Sequence, residues 1–486
     1  MSFDMTAAKE RLSSALDCAA AEFKPNTVVS VFKDGAPVLR KGYGTAKETD
    51  RFVMTLECDI FLSLMALLLI ERKKLRFSDK LSRYIPEYKH AGEITVRNLM
   101  DKKSGIRDFF YGEIMRRMDE ADSGISDEER RLRDTAASAK YYSIEEVLAL
   151  VGEAELEAKP GTEEQWGMAT EPFLRTVIER AAGESLWDFA EESIFRPLGM
   201  KNTRRGGESI EYSVIFRNEK LLPFLPEQDN PYIFTTDLAD AERLLLGLFG
   251  GKLLSEKSYS MATDFRRVNE RWGFEHNDGF INTCFYFYGT LGSGVLYHDP
   301  GTGASAVVLS SEESRYIIGS NGSSRFFRKE MRDALSEIFT YPKNPKMVLY
   351  NKHNCIGAMN LEVTKEQLDF VDDAKTTICY SAAYPHHKVF VEEESGRAVG
   401  LLDLYVNKKK QQYEISIVLI DKRYQHRGFG KVMLRFAVDY LKAQGAKRLT
   451  IGVNRFNIPA QRLYRSVGFT EDNVYEEGIM MSQTLE

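Results

Sequence analysis

Three places in this 486-residue sequence carry residue types at spacings that could do chemistry. The first is Gln425-His426-Arg427-Gly428-Phe429-Gly430. Glycines two apart remove side chains that would hold a ligand off the backbone. If a helix starts there, its unpaired N–H groups and positive dipole end suit a diphosphate. An ordinary tight turn has the same composition, so the motif needs context. The second is a serine near a base. Ser63 is the single polar residue between Ile60 and Ile70, and the single SxxK is Ser30-Val-Phe-Lys33. A nucleophilic serine requires an activating group within reach. Ser63 has Ala66, not Lys, three places on, and on a strand Ser30 and Lys33 point to opposite faces. The third is the set of possible metal ligands. Cys18, Cys58, Cys284, Cys355 and Cys379 form no CxxC, and the adjacent His386 and His387 would face opposite ways on a strand. A zinc site or disulfide framework is not expected, and these histidines read as surface or loop residues.

The elements around the glycine turn supply its context. Glu414–Ile420 alternates and is β-branched, which predicts a strand. After the turn, Val432, Leu434, Phe436, Ala437, Tyr440 and Leu441 recur at mostly helical spacing, and Gly445 follows as a C-cap. "RLTIGV" predicts the next strand, and Asn457 leads into a short helix bearing Ala460, Leu463 and Tyr464.

Together, QxxGxG at Gln425–Gly430 and NxxAxxLYxxxGF at Asn457–Phe469 resemble the GNAT N-acetyltransferases over about residues 346–486. Val363-x-x-x-Gln367-x-x-Phe370-Val371 and "ICYSAAYP" look most like the spermine/spermidine acetyltransferases. The resemblance implies acetyl-CoA between two splayed strands. Its pantetheine arm would lie against the backbone of Val418, Leu419 and Ile420. Its diphosphate would sit on the N–H groups of His426–Lys431, at the turn opened by Gln425. Asn457 would contact the cofactor, and Tyr464 would face the thioester sulfur as general acid; the alternative for Tyr464 is a packed helix aromatic. Glu414 is the candidate base from its strand position, and a solvated strand carboxylate is the alternative. The acceptor would be a polyamine or other small primary amine, with an antibiotic amine and a protein N-terminus or Lys as the alternatives. Residues 346–486 hold 20 Lys and Arg against 17 Asp and Glu, which does not favour a polycation. The cluster Glu366, Asp369, Asp372 and Asp373 is either an acidic pocket or a solvated acidic face.

The longer N-terminal part begins with a hairpin signal, Asp34-Gly35 between two β-rich runs. Tyr84-Ile-Pro86, Ile94-Thr-Val-Arg97-Asn-Leu99, Ser104-Gly105, Pro160-Gly161-Thr162 and Ile194-Phe-Arg-Pro-Leu-Gly199-Met200 follow in order. This series resembles the serine β-lactamase/penicillin-binding-protein-like family, class C type, over roughly residues 10–335. That family needs an SxxK turn, a YxN after PGT, and a Lys or His with Gly on a late strand. Here the SxxK turn before the apolar helix is missing, the YxN position reads Trp166-Gly-Met168, and "CFYFYGTLGSGVLYHDPGTG" offers no KTG or HxG. The expectation is a degenerate, catalytically inactive domain kept for ligand binding in the old cleft, a partner surface or homodimer formation.

The expected architecture is α+β in two domains: residues 1–338 β-lactamase-like, with an antiparallel sheet and a helical subdomain; 339–345 a Pro-containing linker; and 346–486 a GNAT mixed β-sheet flanked by helices. The stretch 118–140, highly charged and without aromatics, reads as an exposed insertion. A net charge of −6 and no basic stripe argue against a nucleic-acid partner. Ile60–Ile70 is about half the roughly 20 residues that span a bilayer and lies too far in for a signal peptide, so no membrane association and a cytoplasmic location are expected. Two other functions remain open: a hydrolase with an unrecognised nucleophile, and a non-catalytic acetyl-CoA sensor.

Overall fold

The computed structural model describes residues 5–485 except 24, 122–123, 127–128, 131–132, 135, 138–139, 166–167, 207–211, 217–219, 225–229, 266–269, 278–279, 287–292, 312–322, 341 and 343. Two compact units emerge: Met1–Asp299 with Gly303–Ala334, and Pro300–Thr302 with Leu335–Glu486. The division falls inside the helix Ser323–Phe339.

In the first unit, helix α1 (Met5–Phe23) leads into the hairpin β1 (Thr27–Lys33) and β2 (Ala36–Tyr43). Asp34 and Gly35 both have positive φ, 51° and 78°. That is the backbone a two-residue turn needs to match strand twist. The strand β3 (Phe52–Thr55) runs into α2 (Asp59–Glu71). Helix α3 (Glu171–Ala182) packs on α2. The short strands β4 (Arg204–Arg205) and β5 (Ile233–Thr236) make a small sheet with β3 in the order β3-β5-β4. The main sheet adds β6 (Glu270–Arg271), β7 (Phe274–Asn277), β8 (Phe280–Tyr286), β9 (Ser293–His298) and β10 (Ala304–Ser310). Its order is β2-β1-β10-β9-β8-β7-β6, antiparallel throughout.

Why α2 is so apolar follows from its place. Every residue from Ile60 to Leu69 is buried, Ser63 included. A helix covered on all sides has no polar face to display, so the usual 3.6-residue alternation is absent. At about 1.5–3 kcal/mol for each large apolar side chain buried, it is a principal contributor to this unit's core. Among the described residues, no helix is long and apolar enough to cross a membrane.

The second unit is a seven-stranded mixed sheet. Its elements in chain order are β11 (Lys346–Leu349), α4 (Cys355–Met359), α5 (Ala374–Ala383), β12 (His387–Glu394), β13 (Arg397–Asn407) and β14 (Gln412–Ile420). Then come α6 (Phe429–Ala443), β15 (Arg448–Asn454), α7 (Ile458–Arg465), β16 (Thr470–Val474) and β17 (Gly478–Thr484). The strand order is β11-β12-β13-β14-β15-β17-β16. All neighbours are antiparallel except β14 and β15, which the crossover helix α6 joins as a parallel pair. Leu402, Leu404, Ile415, Met433, Leu434, Ala437 and Leu441 form the core on the α6 side. Ala358, Ala374, Ile378, Val391, Leu401 and Leu419 form a second core under α4 and α5.

Candidate active site

The parallel pair β14·β15 is where the sheet opens. It has two registered pairs, Glu414↔Thr450 and Ile415↔Ile451. Beyond Ile415 the two strands have no paired residues, so Ser416–Ile420 lacks a neighbour on that edge. A register irregularity between β13 and β14, at Asp403/Leu404, marks the same point. One extra residue in β14 puts Ile417 on the same face as Glu414 and bends the strand. Val418 and Ile420 are half-buried against the α6 core, and Leu419 is buried on the opposite face.

At the open end of β14 lies the glycine turn. Gly428 has φ +100° and is the N-cap of α6. A side chain there would sit in the left-handed region that L-residues rarely adopt. Gly430 serves packing instead: a Cβ on it would stand 2.9 Å from Leu463 Cδ2 of α7. The amides at the start of α6 lack partners four residues back. One is spent locally, since Lys431 N–H donates to the Gly428 carbonyl (3.1 Å).

The side chains of Gln425, Arg427 and Phe429 point into the protein, while His426 is exposed. Gln425 donates to the Ile420 carbonyl (2.9 Å) and exchanges amide hydrogen bonds with Gln367 (2.9 and 3.0 Å). It therefore ties the turn to the end of β14 and to the segment before α5. Arg427 donates to the carbonyls of Thr340 (2.9 Å) and Arg423 (2.6 Å). Phe429 is buried against Val399 and Tyr424. His426 holds φ +61°. With Gln425, Arg427 and Phe429 turned inward, the segment offers a ligand its backbone, as a nest of amides at a helix start, beside the exposed His426.

Asn457 is the N-cap of α7, and its side-chain oxygen accepts from Ala460 N–H (3.2 Å). Tyr464, the next-to-last residue of α7, is 7% exposed and packs against Phe469. Burial pushes its phenol up to about 12. Among the described residues its hydroxyl has no hydrogen-bond partner. A phenol held protonated can donate a proton but is a poor base at neutral pH.

Glu414 shares a cross-strand row with Tyr405 of β13 and His387 of β12. Burial raises its carboxyl, while His387 pulls it down and Asp403 pushes it up. His387 departs from the sequence expectation, whereas His386 is the exposed turn residue expected. His387 is not a surface or loop residue: it opens β12, its side chain is 10% exposed, and its Nδ1 lies 2.7 Å from Asp403 Oδ2. Nor do the two rings point apart. His386 has φ +77°, outside strand geometry, and both rings lie on Tyr405, at 5.7 and 5.4 Å. The acidic cluster resolves as an exposed face. Asp373 caps α5 by accepting from Lys375 and Thr376, and Glu366, Asp369 and Asp372 are exposed. No spacing rule links His387, Asp403 and Glu414, because three separate strands bring them together.

The first unit places its expected chemical residues apart or inside the core. Ser30 and Lys33 lie on β1, paired with Val307 and Ala304, and Lys33 pairs with Asp34. Ser63 is 3% exposed in α2. Cys58, at the start of α2, is a thiol pushed up to about 12 by burial, so the helix N-terminus does not make it a nucleophile. Trp166 and Gly167 lie outside the described residues, as does the late-strand segment 287–292; Met168 donates its N–H to Asp108 (2.8 Å).

Charges unforeseen in the sequence surround the start of α2. Glu57 and Arg175 form an ion pair with both side chains buried, the guanidinium lying over the rings of Tyr141 and Tyr232. Asp59 pairs with Lys102 at 2.6 Å. Glu171, at the start of α3, is pushed up to about 8, by burial first and then by Asp59. Among the described residues, no group of three or more His, Cys, Asp or Glu is placed to hold a metal ion.

Residues 18–338 match the family model described as Beta-lactamase, and residues 330–469 match that described as Acetyltransferase (GNAT) family. Protein flp of Staphylococcus aureus (strain MW2) is 24% identical over 192 residues, 37% of this chain and 34% of that protein. A putative D-alanyl-D-alanine carboxypeptidase of Escherichia coli (strain K12) is 23% identical over 197 residues, 37% of this chain and 43% of that protein. The chain thus spans well under half the length of these curated relatives. Among solved structures, FmtA from Staphylococcus aureus aligns with TM-score 0.52 at 16% identity, over 70% of this chain and 89% of that one. An octameric penicillin-binding protein homologue from Pyrococcus abyssi aligns with TM-score 0.52 at 16% identity, over 82% and 96%. At such identities the likeness is one of fold.

Proposed function

Since this chain belongs to the beta-lactamase family through residues 18–338 and carries a GNAT acetyltransferase domain at 330–469, we propose that it transfers acetyl from acetyl-CoA to a small primary amine, with the first unit a non-catalytic binding or regulatory module. The observation that carries the reading is the opening of β14 from β15 after Ile415, beside a helix start with positive-φ Gly428. An extended thiol arm fits an unpaired strand edge. A diphosphate fits the amides at 426–430.

In this reading acetyl-CoA supplies the activated acyl group. Val418, Leu419 and Ile420 offer their backbone to its arm, and Gln425 and Arg427 hold the turn in shape through their side chains. Asn457 fixes the start of α7 and so the position of Tyr464. Holding amine and thioester together supplies much of the acceleration. Tyr464, kept protonated by burial, gives its proton to the leaving thiolate. Glu414, at the point of divergence, takes a proton from the attacking nitrogen; its raised carboxyl is shifted in the direction a base requires.

A polyamine or similar small amine is favoured by the carboxylates of Glu414 and Asp403 beside the aromatic rings of Tyr405, Tyr380 and Tyr384, a surrounding that suits a cation. Use of acetyl-CoA goes with a cytoplasmic location. The buried Ser63 and the raised thiol of Cys58 weigh against a hydrolase in the first unit.

The test is CoA release by the full chain against a panel of diamines, polyamines, aminoglycosides and peptides. Release dependent on a small amine is expected. No release with any member, alongside measurable acetyl-CoA binding, would favour a non-catalytic sensor.

A further inference from the structure

Acetyl transfer to an ammonium involves two proton losses from one nitrogen. R–NH3⁺ must lose one before its lone pair can attack, and it loses a second as the amide forms. Glu414 accounts for one of these. The row His387–Tyr405–Glu414, with Asp403 on the same face, contains a second group able to accept a proton.

The geometry is specific. His387 Nδ1 is 2.7 Å from Asp403 Oδ2, the two side chains being 10% and 2% exposed. Asp403 Oδ1 is buried and has no hydrogen-bond partner among the described residues. A buried carboxylate with an unpartnered oxygen is costly unless a charge stands beside it. A proton taken up by His387 places its charge on a ring whose Nδ1 is 2.7 Å from this carboxylate. With Nδ1 held by the carboxylate, Nε2 is left as the proton-accepting nitrogen. The ring is fixed by Tyr405 of β13 (5.4 Å) and by Tyr380 of α5 (5.6 Å). Tyr380 also stacks near Tyr384 at 4.4 Å, and both tyrosines are more than half exposed. The groups facing His387 are therefore Asp403 and Tyr405 from β13, Tyr380 from α5 and Glu414 from β14. Two of the four are carboxylates; the adjacent His386, whose ring lies 5.7 Å from that of Tyr405, is a further titratable group here. Carboxylates beside aromatic rings suit an incoming ammonium.

We propose that His387, oriented by Asp403, is a second proton acceptor of the acetyl-transfer site and takes the first proton of the incoming ammonium, with Tyr380, Tyr384 and Tyr405 lining the amine's approach. The proposal rests on the acetyl-transfer reading above. The proton passes from R–NH3⁺ to His387 Nε2, directly or through one water. The freed lone pair forms the C–N bond at the thioester carbonyl. Glu414 accepts the second proton from nitrogen as the C–S bond breaks, and the thiolate takes a proton from Tyr464. Tyr464 recovers that proton from Glu414 through solvent, so the net release is the one proton on His387. Asp403 is a positioning residue, acting through the imidazole.

The test is the pH profile of kcat/KM for an amine accepted by the full chain, in wild type and in His387→Gln, Asp403→Asn and His387→Ala. His387→Gln is expected to lose about 10²-fold at neutral pH, the lower end for a general base. The loss should shrink as pH approaches about 10, where free amine becomes abundant. Added imidazole should restore part of the activity of His387→Ala, and acetyl-CoA affinity should be unchanged in all three. A loss equal at every pH, or none, would overturn the role of His387 while leaving acetyl transfer intact. Absence of turnover in the wild type across the amine panel would instead overturn the acetyl-transfer reading, and this proposal with it.

Discussion

Replacing Tyr464 by phenylalanine separates a packed aromatic from an acid. The side chain is 7% exposed, packs against Phe469, and makes no hydrogen bond through its hydroxyl among the described residues. Removing that hydroxyl leaves no partner orphaned, so stability at neutral pH should change by less than about 1 kcal/mol. As a proton donor, the same hydroxyl should account for about 10²–10⁴-fold in kcat, or roughly 3–5 kcal/mol of barrier. The pH dependence adds a second reading of the same variant. Burial raises the folded phenol to about 12, against about 10 when unfolded. Its contribution to stability is therefore fully present below about pH 10 and is lost as pH rises to about 12. By linkage this amounts to roughly 2–3 kcal/mol. Tyr464→Phe should remove that alkaline fall. The assays are thiol release under saturating amine and acetyl-CoA, and denaturant unfolding at pH 8 and pH 11. A variant with kcat within threefold of wild type would show that the phenol donates no proton that matters, and that the packing role alone explains its place.

Other substitutions test other parts of the structure. Arg175→Met should destabilise the first unit by about 3–5 kcal/mol, because Glu57 is left charged and buried without its partner. The double variant Glu57→Leu/Arg175→Met should recover most of that loss in denaturant unfolding, and a double variant no better than the single would show that the pair is not the cause. Gly428→Ala forces a side chain onto φ +100° at the head of α6. It should cost about 1–2 kcal/mol and weaken acetyl-CoA binding by calorimetry. Ser63→Ala should leave thiol release unchanged and should not abolish any labelling by a fluorophosphonate probe, because Ser63 is buried in α2.

The sequence was informative where local physics is decisive. Positive φ at Asp34 and Gly35 fits the Asp-Gly turn, and the alternation of 414–420 lies within β14. The apolar spacing after Gly430 became α6, and Asn457 caps α7 as its position suggested. The absence of a polar face in Ile60–Ile70 fits a helix covered on all sides, as α2 is. These features are set by residues a few positions apart, and their energies are local: turn conformation, caps and side-chain periodicity.

The remainder was decided by pairing between distant strands. Whether β14 and β15 stay together or part after Ile415 depends on their register and on the irregularity at Asp403/Leu404, which no short window encodes. The backward turn of Gln425 and Arg427, which uncovers the backbone of the turn, depends on Gln367 and Thr340. In the sequence, His387 read as a surface or loop histidine, Glu414 as a candidate base or strand carboxylate, and Asp403 drew no reading. They share an environment because His387 and Glu414 both register against Tyr405 and Asp403 is two residues from Tyr405 on the same face of β13, whatever their distance along the chain. The Glu57–Arg175 pair was hidden for the same reason, its members being 118 residues apart. The sequence by itself determined the two families and the local elements that carry their motifs. Tertiary structure alone decided which charges are buried together, because desolvation depends on what surrounds a group in space and not on its neighbours in the chain.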